Sequence, residues 1–226
     1  MATPTVPPMP QLPSPERVRL AYQRRNETDY VARFWTAFGW TLLTLGVYGF
    51  YIFYQLMRRD RDHTRRRLEL IEAATAHAWE AAARDGLQDE LRPNFERLSA
   101  HTESMRQMTN DFRDPVIWLV LCILTGLAEL IAFIFIDQDL VKHGGAEAAA
   151  QAELSAIYGR LGQSLSPGPV VAKGQHNYVG RIVASFFSFG LYLLWWWADI
   201  MSDGNQHFEA NWVWEDELAN AVVATQ

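Results

Sequence analysis

Cysteine is nearly absent: Cys122 stands alone among 226 residues, so no internal disulfide can form and no redox compartment can be read from it. Also missing are a nucleophile elbow, a phosphate loop, a dinucleotide fingerprint, a zinc-protease helix and a paired-carboxylate motif, which leaves nothing to support an enzyme. Met1–Pro15 is rich in proline and has neither a basic leader nor an apolar h-region, so the first apolar run is expected to insert directly. The six histidines form no metal-ligand signature, and no metal or other cofactor is expected. His77 and His101 could approach each other across a hairpin, but only generic surface carboxylates lie near. The segment after Ser202 has no lysine or arginine and is acidic.

Long apolar runs are what the chain does have. The net charge is −6 and 49% of residues are hydrophobic, values common in water-soluble domains, but the distribution is uneven. Phe34–Met57, Val116–Ile136 and Ile182–Met201 are almost free of charge. About 20 apolar residues at 1.5 Å each cross a hydrocarbon core of about 30 Å, so segments 34–57, 115–137 and 181–201 are expected to be transmembrane helices. Tyr48, Tyr51, Tyr54, Trp195, Trp196 and Trp197 suit the water–lipid boundary at their ends. Five arginines precede the first run and eleven follow it before the second, which puts residues 58–114 on the cytoplasmic side of an inner membrane, with the C-terminus. A first segment that dips in and returns near Gly46 and Gly49 is the alternative.

A shift of 144 residues superposes LTLGVYGFYIFY, from Leu43, on FSFGLYLLWWWA, from Phe187. Gly46 then meets Gly190, Tyr48 meets Tyr192 and His63 meets His207. Thr41, Thr44, Tyr48, Tyr51 and Gln55 follow a three-four spacing along one helix face, and Ser185, Ser188, Tyr192, Trp195 and Asp199 repeat it. Thr44-x-Gly46-x-Tyr48, followed by Tyr51 and Tyr54, resembles the motif of a family of small, uncharacterised bacterial membrane domains, and Ser188-x-Gly190-x-Tyr192 with Trp195 and Trp196 matches it less strictly. That resemblance covers about a quarter of the chain and implies a membrane location without a known chemistry.

Between the first two runs, Leu68, Ile71, Thr75, Ala78 and Ala82, then Leu91, Phe95, Leu98, Thr102, Met105 and Phe112, form two apolar stripes separated by Gly86 and Pro93. They predict an antiparallel helical hairpin over 58–114, continuous with the flanking runs. Residues 1–33 read as a Pro/Arg-rich arm and 138–180 as a short helix around Ala146–Leu161 followed by a loop. Residues 202–226 form an acidic tail carrying Trp212 and Trp214.

Glu129 is the one formal charge deep inside an apolar run, which calls for a protonated, hydrogen-bonded or paired carboxyl. Tyr48, Tyr192, Thr44 and Ser188 are the candidates to complete an intramembrane polar site with it; a carboxyl satisfied inside a packed helix interface is the plainer reading. Arg58, Arg59, Arg61, Arg65, Arg66 and Arg67 are candidate lipid-headgroup or partner contacts, as are Trp195, Trp196, Trp197, Trp212 and Trp214. Pairing of the arginines with the acidic tail is a second reading, and nucleic acid is not expected as a partner because the cluster is short and lacks a recognition fold. The function these features favour is a non-catalytic accessory or scaffolding subunit of a bacterial membrane assembly, with lipids and other subunits as partners and a homo-oligomer left open. The alternative is a small transporter or proton-coupled protein built on Glu129.

Overall fold

The computed structural model describes residues 12–168 and 176–225; the prolines before Leu12, and Pro169, lie outside the described residues. Every regular element among the described residues is a helix, as the apolar stripes require. In chain order these are α1 (Ser14–Gln23), α2 (Arg25–Thr28), α3 (Phe34–Leu43), α4 (Val47–Arg84), α5 (Gln88–Asn110), α6 (Pro115–Thr125), α7 (Ala128–Arg160), α8 (Tyr178–Phe187) and α9 (Leu191–Ala224).

None of these helices is long and apolar enough to cross a membrane, which overturns the expectation of a multi-pass inner-membrane protein. The apolar runs have the length of spans, but each is broken near its middle by a left-handed turn. Leu45 and Gly46 have φ of 52° and 96°, Phe189 and Gly190 have φ of 51° and 87°, and Gly126 has φ of 65°. A side chain in this region costs about 1–2 kcal/mol, so the turn must be held by its surroundings. The Thr44 hydroxyl accepts from the Tyr48 amide at 2.9 Å, Ser188 accepts from Tyr192 at 2.9 Å, and Thr125 accepts from Ala128 at 3.1 Å. Each hydroxyl thus satisfies an amide at the start of the outgoing helix, which otherwise lacks an acceptor. The polar stripe read along the first and third runs is, at Thr44 and Ser188, the device that ends one helix and starts another.

The chain then doubles back, so α3, α6 and α8 lie against the first half of α4, α7 and α9. Trp40 meets Tyr48 at 6.3 Å, Trp118 meets Phe135 at 5.3 Å, and Arg181 bonds Asp199 at 2.6 Å. Each short helix also reaches the long helix of a neighbouring unit. Phe34 packs on Trp197 at 5.8 Å, Tyr178 donates to Asp137 at 2.7 Å, and α6 packs on α4. The result is three helical hairpins in a cyclic arrangement, where the sequence shows two repeats.

Counted from the turn glycines, α4, α7 and α9 run in parallel and bury matching positions. Phe53, Phe133 and Trp197 form one layer, Leu56, Ile136 and Ile200 the next, and Ala74, Leu154 and Leu218 a distant one. The step between the first two layers is three residues, and the step from the buried Leu70, Ala150 and Trp214 to the distant layer is four, the steps of a helical seam. One apolar cluster fills the hairpin half. A second fills the far half, where α1 and α5 join the long helices.

Gly86, at φ of 69°, separates α4 from α5 as the break in the stripes predicts, whereas Pro93 is absorbed inside α5. Two other expectations change. The short helix near Ala146 is the continuation of α7, and the acidic tail is the continuation of α9, with Trp214 fully buried.

Candidate metal centre

Between the two apolar clusters lies a buried polar layer. His63 is 17 residues beyond Gly46, His143 is 17 beyond Gly126, and His207 is 17 beyond Gly190. Parallel helices starting at one level must bring equal positions to one level, about 25 Å from the turns at 1.5 Å per residue. The three imidazoles accordingly meet, with ring centres 5.2, 5.6 and 6.0 Å apart. One helical turn further, the equivalent positions hold Arg67, Glu147 and Asn211, and these also bond to each other. Arg67 donates to Glu147 Oε1, and Asn211 Nδ2 donates to Glu147 Oε2 at 3.0 Å.

The donors of His63, His143, His207 and Glu147 lie within 4.8 Å of one another, and all four residues are buried. Glu147 Oε2 is 3.1 Å from His207 Nε2 and 3.4 Å from His143 Nε2. An ion with bonds of about 2.0–2.1 Å in a tetrahedral shell has ligand atoms roughly 3.3 Å apart, so these separations are those of a ligand set. His63 Nδ1 is 3.0 Å from Asp29 Oδ1. An ionised carboxylate only accepts, so the imidazole proton sits on Nδ1 and the Nε2 lone pair is free for the centre. His63 Nε2 and both nitrogens of His143 have no hydrogen-bond partner. A buried orphan of this kind costs about 1–3 kcal/mol.

A second ring of bonds orients the first. Asp29 Oδ2 accepts from Arg66 at 2.7 Å and from Trp212 Nε1 at 2.8 Å. Glu215 takes Arg66 on both oxygens at 2.8 and 2.9 Å and Arg67 at 2.8 Å. Three carboxylates thus face two guanidiniums, and the one excess negative charge of these five groups favours a bound cation. Burial pushes the Asp29 carboxyl up, but His63, Arg66 and Trp212 outweigh it and hold its pKa down. Arg67 foremost overcomes burial at Glu147 and keeps it well below the usual range. Burial brings the His143 pKa down to about 3 and also lowers that of His63, leaving both as neutral imidazoles, the form that ligates.

Neither a family model, nor a characterised protein, nor a solved structure matches this chain. The resemblance carried by Thr44, Gly46 and Tyr48 therefore rests on those residues alone.

The arginines divide in two. Arg58 and Arg65 are exposed, and Arg58 and Arg61 pair with Asp62 at 3.1 and 2.8 Å. Arg59, Arg66 and Arg67 are buried, so they cannot meet lipid headgroups. Arg59 donates to the Tyr30 carbonyl, to Asn205 Oδ1 and to the Ile200 carbonyl at 3.0–3.2 Å. Of the tryptophans, Trp195 is exposed, Trp196 and Trp197 fill the hairpin core, Trp212 bonds Asp29, and Trp214 lies against the Arg67 guanidinium at 5.0 Å.

Glu129 lines a hollow of about 480 Å³ between the hairpins, together with Gly46, Cys122, Gly126, Gly190 and Trp197. Tyr48, Tyr192, Thr44 and Ser188 do not line it. Glu129 is an exposed residue within this opening, and the apolar groups around its carboxyl strip it of solvent and raise its pKa. His77 bonds the Tyr158 hydroxyl at 2.9 Å.

His143 and Glu147 are what the sequence did not single out. The signal that finds them is the 17-residue spacing from the turn glycines Gly46, Gly126 and Gly190 to a histidine; Gly159 and His176 have the same spacing but Gly159 marks no turn between paired helices.

Proposed function

We propose that this chain is a metal-binding helical scaffold in which His63, His143, His207 and Glu147 hold one transition-metal ion, zinc foremost, at the junction of the three long helices. The observation that carries the reading is His63: Asp29 fixes its proton on Nδ1, and its Nε2 is buried, unpartnered and turned toward two further imidazoles. Three nitrogens and one carboxylate oxygen suit zinc in a four-coordinate site, and carboxylate–histidine pairs are the usual support for such ligands. Four protein donors leave no position for a substrate, so the ion is structural and the protein non-catalytic. It would act by holding its hairpin half and its bundle half in one arrangement for a partner.

A hydrolytic centre is the rival, and one observation favours it. A cavity of about 10 Å³, the size of one water, is lined by Asp60, Thr64, His63 and His143. It shares Thr64, Asp139 and His143 with a polar cleft of about 340 Å³ that offers an access route from outside.

The test is elemental analysis of the purified full chain, with melting before and after chelation. One equivalent of zinc is expected. At free zinc 100-fold above Kd, binding contributes about 2.7 kcal/mol. Removal should therefore lower Tm by roughly 5–10 °C for a chain of this size. His143→Ala should lose both the ion and the shift. Cobalt substitution separates the two readings, because a tetrahedral spectrum supports the scaffold and a five-coordinate one supports the rival. Wild-type protein that takes up no metal and melts at one temperature with or without chelator would overturn both.

A further inference from the structure

The three hairpin ends expose large apolar side chains that the metal reading does not use. Leu45 is 95% exposed, Phe189 98%, Leu124 75% and Leu127 69%. These residues sit on the three turns, and the turns lie side by side, since Gly46, Gly126 and Gly190 line one hollow. Isolated exposed leucines are ordinary, but three adjacent tips built from such residues mark an interaction surface.

We propose that the three tips are a wedge that enters the acyl region of one leaflet of a lipid surface, without crossing it. Four features of the hairpins fit lipid better than a protein groove. The first is depth. In each hairpin the charges begin nine to thirteen residues from the turn, at Arg33 and Arg58, Asp114 and Asp137, Arg181 and Asp199. At 1.5 Å per residue this leaves an uncharged height of about 14–20 Å, close to half of a hydrocarbon core of about 30 Å. Glu129 alone breaks the rule, and it opens into the hollow between the hairpins.

The second feature is that the tips satisfy their polar groups from within, as hydrocarbon requires. Thr44 donates to the Trp40 carbonyl at 2.8 Å, Thr125 to Leu121 at 2.8 Å and Ser188 to Ser185 at 3.2 Å. The same hydroxyls accept the amides that follow each turn. The amides of Gly46, Gly126 and Gly190 bond Thr41, Cys122 and Ser185 carbonyls at 2.8–2.9 Å.

The third feature is the collar. Trp35 is 79% exposed at the level where charges begin, while Trp40, Tyr51 and Trp195 are exposed part-way to the tips. Exposed Arg33 and Arg58 place positive charge around the base, beside one exposed carboxylate, Asp114. Aromatic rings and cations at this height are the arrangement met at a lipid headgroup layer, anionic lipid above all. Fourth, the surface is three separate tips around a hollow, and fluid acyl chains can fill around such points.

The experiment is sedimentation of the purified full chain with closed vesicles of phosphatidylcholine and phosphatidylglycerol, in parallel with Leu45→Glu/Leu127→Glu/Phe189→Glu. All three positions are exposed, so helix content and melting of the variant should match wild type. Wild type should sediment with the vesicles, and the variant's partitioning should fall roughly 100-fold or more, since each carboxylate would have to enter hydrocarbon. A fluorophore at position 45 or 189, with Cys122→Ser, should be quenched by lipids brominated along their chains. Wild type that stays in the supernatant, an unchanged triple variant, or a wild-type dimer that the variant converts to monomer with vesicle binding unaffected would each overturn the proposal. Zinc content is read on the same samples and is independent of all these outcomes.

Discussion

Asp29 and His63 are joined by a 3.0 Å hydrogen bond across 34 residues of chain, and that bond decides which imidazole nitrogen faces the centre. Replacing Asp29 with Ala frees the imidazole to rotate and to change tautomer while leaving all four donors in place. Carboxylates that support metal-bound histidines typically contribute 10–100-fold in affinity. Asp29→Ala should therefore weaken zinc binding in a chelator competition by about that range without abolishing it. Unchanged affinity would mean that Asp29 only anchors Arg66 and Trp212.

Glu215 is the second point of leverage. It receives Arg66 and Arg67 together at 0% side-chain exposure, so Glu215→Leu would leave two buried guanidiniums with one fewer carboxylate each. Breaking a buried pair on one side costs about 3–5 kcal/mol. Denaturant unfolding should show a loss of that order, and Glu215→Gln, which keeps acceptors but not the charge, should lose less. Equal losses for the two would show that packing, not charge, governs this site.

The helices, the break at Gly86 and the equivalence of His63 with His207 were legible in the sequence. Pattern and spacing are local properties, and these features depend on little else. The third repeat was hidden because its turn has Thr125 and Gly126 but nothing like the Tyr48 or Tyr192 that mark the other two. Only the glycine-to-histidine distance survives, and a distance becomes meaningful once the three helices are known to be parallel and level. The broken runs were misread because hydropathy measures apolar length and is blind to a left-handed residue in the middle. The arginines were misread in part for a different reason. Of the carboxylates that bury Arg66 and Arg67, Glu215 of α9 belongs to the acidic tail that the second reading of the arginines pointed to; those of α7 and of the segment before α3 have no local pattern to announce them.

Glu129 carries a pH dependence with a definite sign. Its folded-state pKa lies above the ordinary 4.5, so the native state holds a proton that the unfolded chain releases. The stability tied to that proton is fully present below about pH 4.5 and is lost as pH rises toward the folded value. Glu129→Gln should flatten this part of the stability profile and leave the rest unchanged. Because the carboxyl opens into a hollow that water can reach, the effect should be small, and a profile identical to wild type would show that the hollow solvates the ionised form.

Two glycines should respond to alanine with opposite signs, and the pair tests the hairpin geometry itself. Gly145 lies inside α7, has an ordinary helical backbone, and nothing lies within 4 Å of where its Cβ would be. There alanine loses less backbone entropy on folding and adds no clash, so Gly145→Ala should stabilise by about 0.5–1 kcal/mol. Gly126 also has open space around it, but its φ is +65°. A side chain there is strained by the backbone alone, at about 1–2 kcal/mol, so Gly126→Ala should destabilise by that amount. Steric room is the same at both sites, which leaves the dihedral as the difference between them. If Gly126→Ala instead stabilised the fold, α6 and α7 would have to join through an ordinary helical residue. The second hairpin would then be a continuous helix, and the level at which His143 meets His63 and His207 would have no structural basis.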